Sequence, residues 1–123
     1  MTSARERAAT AMMEVLNSEF LRALTEPARL ELLRILLLHG PADVATIASH
    51  LPQDRSVISR HLKLLEQAGI VESQQDGRHR IYGIDGASFI ETLEAILGKT
   101  KSLASACCPP IAAAIKPKIG SKR

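Results

Sequence analysis

The sequence predicts a mainly α-helical domain carrying one small β-hairpin, and three patterns lead there. Apolar residues recur at three- and four-residue intervals along most of the chain, the spacing of one helix face. That period breaks between residues 70 and 84, where two short strand-like runs flank Asp76-Gly77. Just ahead of the hairpin, two short helical stretches are joined by the turn Pro52-Gln53-Asp54. The 123 residues are one small domain's worth of chain, and 46% hydrophobic against 24% charged residues excludes a wholly disordered one. With two Phe, one Tyr and no Trp the core is aliphatic. Stacking on unpaired bases, the usual basis of single-strand and RNA-loop binding, has almost no residues to work with.

The first helical signal spans about residues 3–24. Met12, Met13, Leu16, Phe20, Leu21 and Leu24 share one face, and Asn17 or Ser18 marks a break or kink inside it. Thr25-Glu26-Pro27 restarts the helix, with proline in the first turn, where a missing N–H does no harm. Leu30, Leu33, Ile35, Leu36 and Leu37 make the next helix apolar nearly all round, which predicts a central position, and His39-Gly40-Pro41 stops it. Asp43 is placed to cap a short helix through Leu51, with Val44, Ile47, Ala48 and Leu51 inward. From Arg55 to Ala68 a fourth helix turns Val57, Ile58, Leu62 and Leu65 inward and ends at Gly69. The strand-like runs are 70–73 and 80–84. A last helix, Gly86 to Cys107, carries Phe89, Ile90, Leu93, Ile96, Leu97 and Leu103 and ends before Pro109-Pro110.

That order is a winged helix-turn-helix flanked by a first and a last helix. Their apolar stripes have no second surface to cover in so short a chain, which predicts dimerisation through them. Residues 1–108 are expected to form the DNA-binding and dimerisation domain, and 109–123 a basic tail containing proline and lysine. Charge divides in nearly the same place. Residues 1–98 hold 10 Lys+Arg and 13 Asp+Glu, whereas 99–123 hold six basic residues and no acid. The overall +3 is thus a property of the tail and says little about the body. The tail is a solvated end or an arm that adds nonspecific DNA affinity. No apolar run approaches the ~20 residues of a membrane span, and Met1 is not followed by a signal-peptide pattern. A cytoplasmic protein with no membrane partner is the expectation.

Candidate function lies on the fourth helix. With Ile58, Leu62 and Leu65 facing the core, Arg55, Ser56, Ser59, Arg60 and Lys63 point the other way. Arginine forks onto guanine, serine bonds base or phosphate, and lysine neutralises phosphate, so these are the residue types of a major-groove helix. Arg78, His79 and Arg80 at the hairpin tip are placed to reach an adjacent groove or backbone. An ordinary solvated helix face with a charged hairpin is the alternative reading. His61, between Ile58 and Leu62, suits packing or a phosphate contact better than metal. His39 and His50 end helices, where an imidazolium favours the dipole. No Ser/His/Asp set, phosphate loop or carboxylate pair sits at a recognisable spacing, so an enzyme is not expected.

The stretches 24–36 (LTEPARLELLRIL), 47–51 (IASHL), 56–71 (SVISRHLKLLEQAGIV) and 76–82 (DGRHRIY) occur in the order found in the ArsR/SmtB family of bacterial repressors, which residues 20–97 resemble. The resemblance implies a homodimeric winged-helix repressor, paired through its first and last helices. Such a repressor binds an operator and lets go when a metal, metalloid or oxidant reaches it, with no organic cofactor. Two of that family's metal sites are missing. Where one has a Cys-x-Cys pair this chain has Asp43 and Ala45, and no histidine follows His79 to build the zinc site of the last helix.

Cys107 and Cys108 remain. As neighbours they cannot staple distant segments. Adjacent thiolates can share one soft ion such as As(III), Sb(III) or Cd(II). Arsenic prefers three sulfurs, the third coming from a partner subunit or a small thiol. Some proteins of the family carry adjacent cysteines near the end of the last helix. Lys99, Lys101 and the tail favour thiolate, while a helix C-terminus opposes it. The expectation is a repressor released by As(III) or another thiophilic metal at Cys107/Cys108. A redox or sulfide sensor using the same pair is the alternative, as is a DNA-binding module without an inducer.

Overall fold

The computed structural model describes residues 3–115. In chain order the elements are α1 (Ala4–Leu16), α2 (Glu19–Ala23), α3 (Pro27–His39), α4 (Val44–Ala48), α5 (Arg55–Gln67), β1 (Val71–Asp76), β2 (His79–Ile84), α6 (Gly86–Cys107) and α7 (Ile111–Ala114). Lys116–Arg123, which carry most of the basic tail, lie outside the described residues.

Side-chain chemistry sets most boundaries. Ser3 and Glu6 cap α1 reciprocally: the Glu6 N–H donates to Ser3 Oγ at 3.0 Å and the Ser3 N–H to Glu6 Oε1 at 2.8 Å. The expected break at Asn17-Ser18 is present, because Ser18 turns extended and accepts from the Leu21 N–H to start α2. Arg29 closes α2 from the next helix, its Nε donating to the Ala23 carbonyl at 2.7 Å. Asp43 Oδ1 caps α4 through the Thr46 N–H at 2.9 Å. This helix stops at Ala48 rather than Leu51. Bonds from His50 and Leu51 back three residues tighten the chain there, ahead of Pro52, which disfavours helix in the residue before it.

Gly69 ends α5 at φ +77°, with its N–H on the Glu66 carbonyl and the Ile70 N–H on that of Leu65. The hairpin is longer than the apolar runs. Its antiparallel register runs from Val71↔Ile84 to Asp76↔His79, which makes Gly77-Arg78, not Asp76-Gly77, the two loop residues. Gly77 has φ +62° and Arg78 has no positive φ, as a type II′ turn requires. Tyr82 pairs by both backbone groups with Ala42, at 3.0 and 2.9 Å, so the base of the wing is stapled to the segment before α4.

By packing, the chain divides into Asn17–Ala95 and a second unit made of Met1–Leu16 with Ile96–Arg123. In the first, Leu32, Ile47, Ile58, Leu62, Leu65, Ile70 and Val71 form the fully buried centre, and Phe20 meets Phe89 at 5.2 Å. The expectation for α3 needs correcting. Leu32, Leu33, Ile35 and Leu36 are buried, but Leu30, Leu37 and Leu38 are exposed beside an apolar groove of about 600 Å³. In the second unit Ala8 and Val15 of α1 are buried, while Met13 and Leu16 are not. The single stripe expected across residues 3–24 is therefore split where the helix breaks. Continuous α6 contributes to both units without one buried residue: Ile90, Leu93 and Leu97 are exposed. Pro109-Pro110 ends α6 as expected, and the short exposed α7 follows, which apolar periodicity did not suggest.

Candidate nucleic-acid interface

Helix α5 buries Ile58, Leu62 and Leu65 and leaves Arg55, Ser56, Arg60 and Lys63 exposed, with Ser59 half-buried among them. Positions 55, 56, 59, 60 and 63 follow the three- and four-residue spacing of a single face, which borders the core stripe at Arg55 and Ser59. His61 lies off that face, about 100° further round the helix than Arg60 and next to the core position Leu65, half-buried. Its Nδ1 is shielded and has no hydrogen-bond partner among the described residues. Burial lowers the pKa of this imidazole, and Arg29 and Arg60 push in the same direction against Glu26. His61 is therefore a poorer cation for phosphate than its position in the sequence suggests.

Arg78, His79 and Arg80 are all exposed on the wing, yet two of them are held. His79 Nδ1 lies 3.0 Å from Asp43 Oδ2. Hydrogen bonds from Thr46 hold the Asp43 carboxyl below its usual pKa, and His79 and Arg55 add to this. The Asp43 carboxylate thus joins the start of α4 to His79, the first residue of β2. Arg80 turns along the hairpin, its Nη1 donating to Ser73 Oγ at 2.9 Å, while the Ser73 hydroxyl donates to Glu66 Oε2 at 2.7 Å. Sequence reading found Asp43 only as a helix cap and did not find Glu66 or Ser73. Their partners lie on other elements, beyond any local spacing rule. His39 and His50, assigned separately to helix ends, stack on each other at 4.2 Å.

Cys107 and Cys108 belong to the second unit. Their Sγ atoms are 2.7 Å apart, with Cys107 half-buried and Cys108 exposed. The hydrogen bond with Cys108 raises the Cys107 pKa, burial adds to this, and nearby Arg5 only partly opposes it. At Cys107 the shift is thus upward, opposite to the lowering expected there, and Lys99 and Lys101 are not among its causes. No cluster of three or more His, Cys, Asp or Glu with metal-binding geometry occurs among the described residues. No helix among them is long and apolar enough to cross a membrane.

Comparison with known proteins places this geometry in context. The profile of "Bacterial regulatory protein, arsR family" matches residues 26–73, from the N-cap of α3 to the middle of β1. An uncharacterized HTH-type transcriptional regulator of Methanocaldococcus jannaschii is 34% identical over 67 residues, 54% of this chain and 75% of the relative. Among solved structures, a possible transcriptional regulator for arsenical resistance is 31% identical with a TM-score of 0.57, covering 80% of this chain and 98% of that one. A homodimeric winged helix-turn-helix DNA-binding domain from Mycobacterium bovis, 23% identical, shares the fold with a TM-score of 0.54 over 85% of this chain and 93% of its own.

Proposed function

Since the chain belongs to the arsR family of bacterial regulatory proteins, transcriptional regulators rather than enzymes, we propose that it is an operator-binding repressor released when As(III) joins Cys107 and Cys108. In this reading Arg55, Ser56, Ser59, Arg60 and Lys63 of α5 enter the major groove, and Arg78, His79 and Arg80 follow the adjacent backbone. Two chains pair through α1 and α6, so that residues 1–108 act as one DNA-binding and dimerising unit and 109–123 as an appended tail.

The observation that carries the inducer reading is the direct juxtaposition of two free sulfurs at the end of α6. Arsenous acid is neutral near pH 7 and condenses with thiols directly. Two S–H protons leave with two of its hydroxyls as water, two As–S bonds form, and no net proton is released. A raised thiol pKa therefore does not hinder As(III), whereas Cd(II) must displace both protons. A third thiol, from the partner subunit or a small molecule, replaces the remaining hydroxyl as a third water.

The test is anisotropy of a duplex that the protein enriches from a random-sequence pool, titrated in turn with As(III), Sb(III), Cd(II), Zn(II), peroxide and persulfide. As(III) is expected to release the parent across a range of pH. Cd(II) is expected to become more effective as pH rises, because its binding releases the thiol protons. Cys107→Ser and Cys108→Ser are expected to bind DNA as the parent does and to stay bound when arsenite is added. Arsenite release of the double variant overturns the sensor assignment. Release by peroxide or persulfide alone makes the pair a redox or sulfide sensor, and no release at all leaves a DNA-binding module without an inducer.

A further inference from the structure

Arg80, Ser73 and Glu66 come from β2, β1 and α5, and their side chains make one line of hydrogen bonds from the wing to the DNA-reading helix. Its direction is fixed by donor chemistry. The guanidinium can only donate, the ionised carboxylate only accepts, and the single hydroxyl proton of Ser73 goes to Glu66 while its lone pair takes Arg80. Glu66 and Arg80 are exposed, so the chain of bonds adds little to folding stability. Its effect is on where Arg80 points.

We propose that Glu66 and Ser73 are positioning residues for DNA binding, holding the Arg80 guanidinium at a fixed place and angle relative to α5 to meet a backbone phosphate. The inference rests on the wing reading given above and adds two residues to it. One guanidinium N–H is used by Ser73, which leaves the others for phosphate oxygens. An arginine already held in place loses less freedom when it binds than one that must be captured from many rotamers. Removing the restraint is expected to weaken binding about threefold to tenfold. Plain electrostatics predicts the opposite sign: deleting an acid from a surface that meets phosphate strengthens binding. The sign therefore separates positioning from charge.

The experiment uses the full chain and the duplex enriched by the parent, with affinity measured at several salt concentrations. Glu66→Ala and Ser73→Ala are each expected to lose about threefold to tenfold. Glu66→Gln is expected to keep at least the parent affinity, because its amide oxygen still accepts from Ser73. Adding Glu66→Ala to Arg80→Ala is expected to cost nothing beyond Arg80→Ala alone. Parent or better affinity in Glu66→Ala overturns the proposal, as do equal losses in Glu66→Ala and Glu66→Gln or an undiminished loss in the Arg80→Ala background. Arg80→Ala with parent affinity and an unchanged salt slope overturns instead the wing reading on which the proposal stands.

Discussion

Arg60 and Arg78 separate the two kinds of work a DNA contact can do. Arg60 is exposed on the face of α5 assigned to base edges, where a forked guanidinium–guanine contact discriminates one base pair from another. Arg60→Ala is expected to lose about 1–3 kcal/mol of specific binding, read by competition against a scrambled duplex at matched salt. Arg78, at the hairpin loop, meets backbone in this reading. Its alanine variant is expected to weaken binding to both duplexes evenly and to reduce the salt slope by about one. Equal loss on both duplexes for Arg60→Ala would remove α5 from the base-reading role. The residues behind these assignments were legible in the sequence because the core positions of α5 fix which side is left outward. The restraints on His79 and Arg80 were not, since a side-chain bond to another element leaves no periodic trace.

At the level of elements, punctuation decided most boundaries. Pro27, Asp43, Gly69 and Pro109-Pro110 mark helix ends in sequence and in space, because each acts through its own backbone or its nearest neighbours. Hairpin length was missed for the complementary reason. Gln74, Gln75 and Asp76 have little strand propensity, but opposite partners on β2 supply their ladder bonds. Gly69 offers the sharpest test of an element end. Its left-handed backbone disfavours any Cβ, and one built there would lie 3.0 Å from Ser88 Oγ. Gly69→Ala is expected to cost about 1–2 kcal/mol, seen as an earlier denaturation midpoint with unchanged slope.

At the scale of the whole molecule, apolar side chains remain uncovered on α1 and α6. Ile90, Leu93 and Leu97 follow one face of α6 at three- and four-residue spacing and remain exposed, as do Met13 and Leu16 of α1. The sequence announced these stripes but left no way to tell a face covered by its own chain from one left open, so the exposure of Leu30 and Leu37 on α3 was not legible. Leu93→Glu or Leu97→Glu is expected to yield monomers by sedimentation and to abolish duplex binding in the same variant. Monomeric parent protein at micromolar concentration would count against pairing through α6. In the proposed reading the path from the cysteine pair toward α5 is α6, one continuous helix from Gly86 to Cys107. If arsenite lowers DNA affinity tenfold, the coupling is about 1.4 kcal/mol, and the duplex is then expected to weaken arsenite binding by the same factor.

The backbone staple between Tyr82 and Ala42 has one more consequence. Tyr82 is the chain's only tyrosine and there is no tryptophan, so near-ultraviolet absorption and emission arise almost wholly at that buried ring at the root of the wing. The protein carries a single native fluorophore where the hairpin joins the helices. Any shift of the wing on addition of a duplex or of arsenite is open to optical measurement without a label.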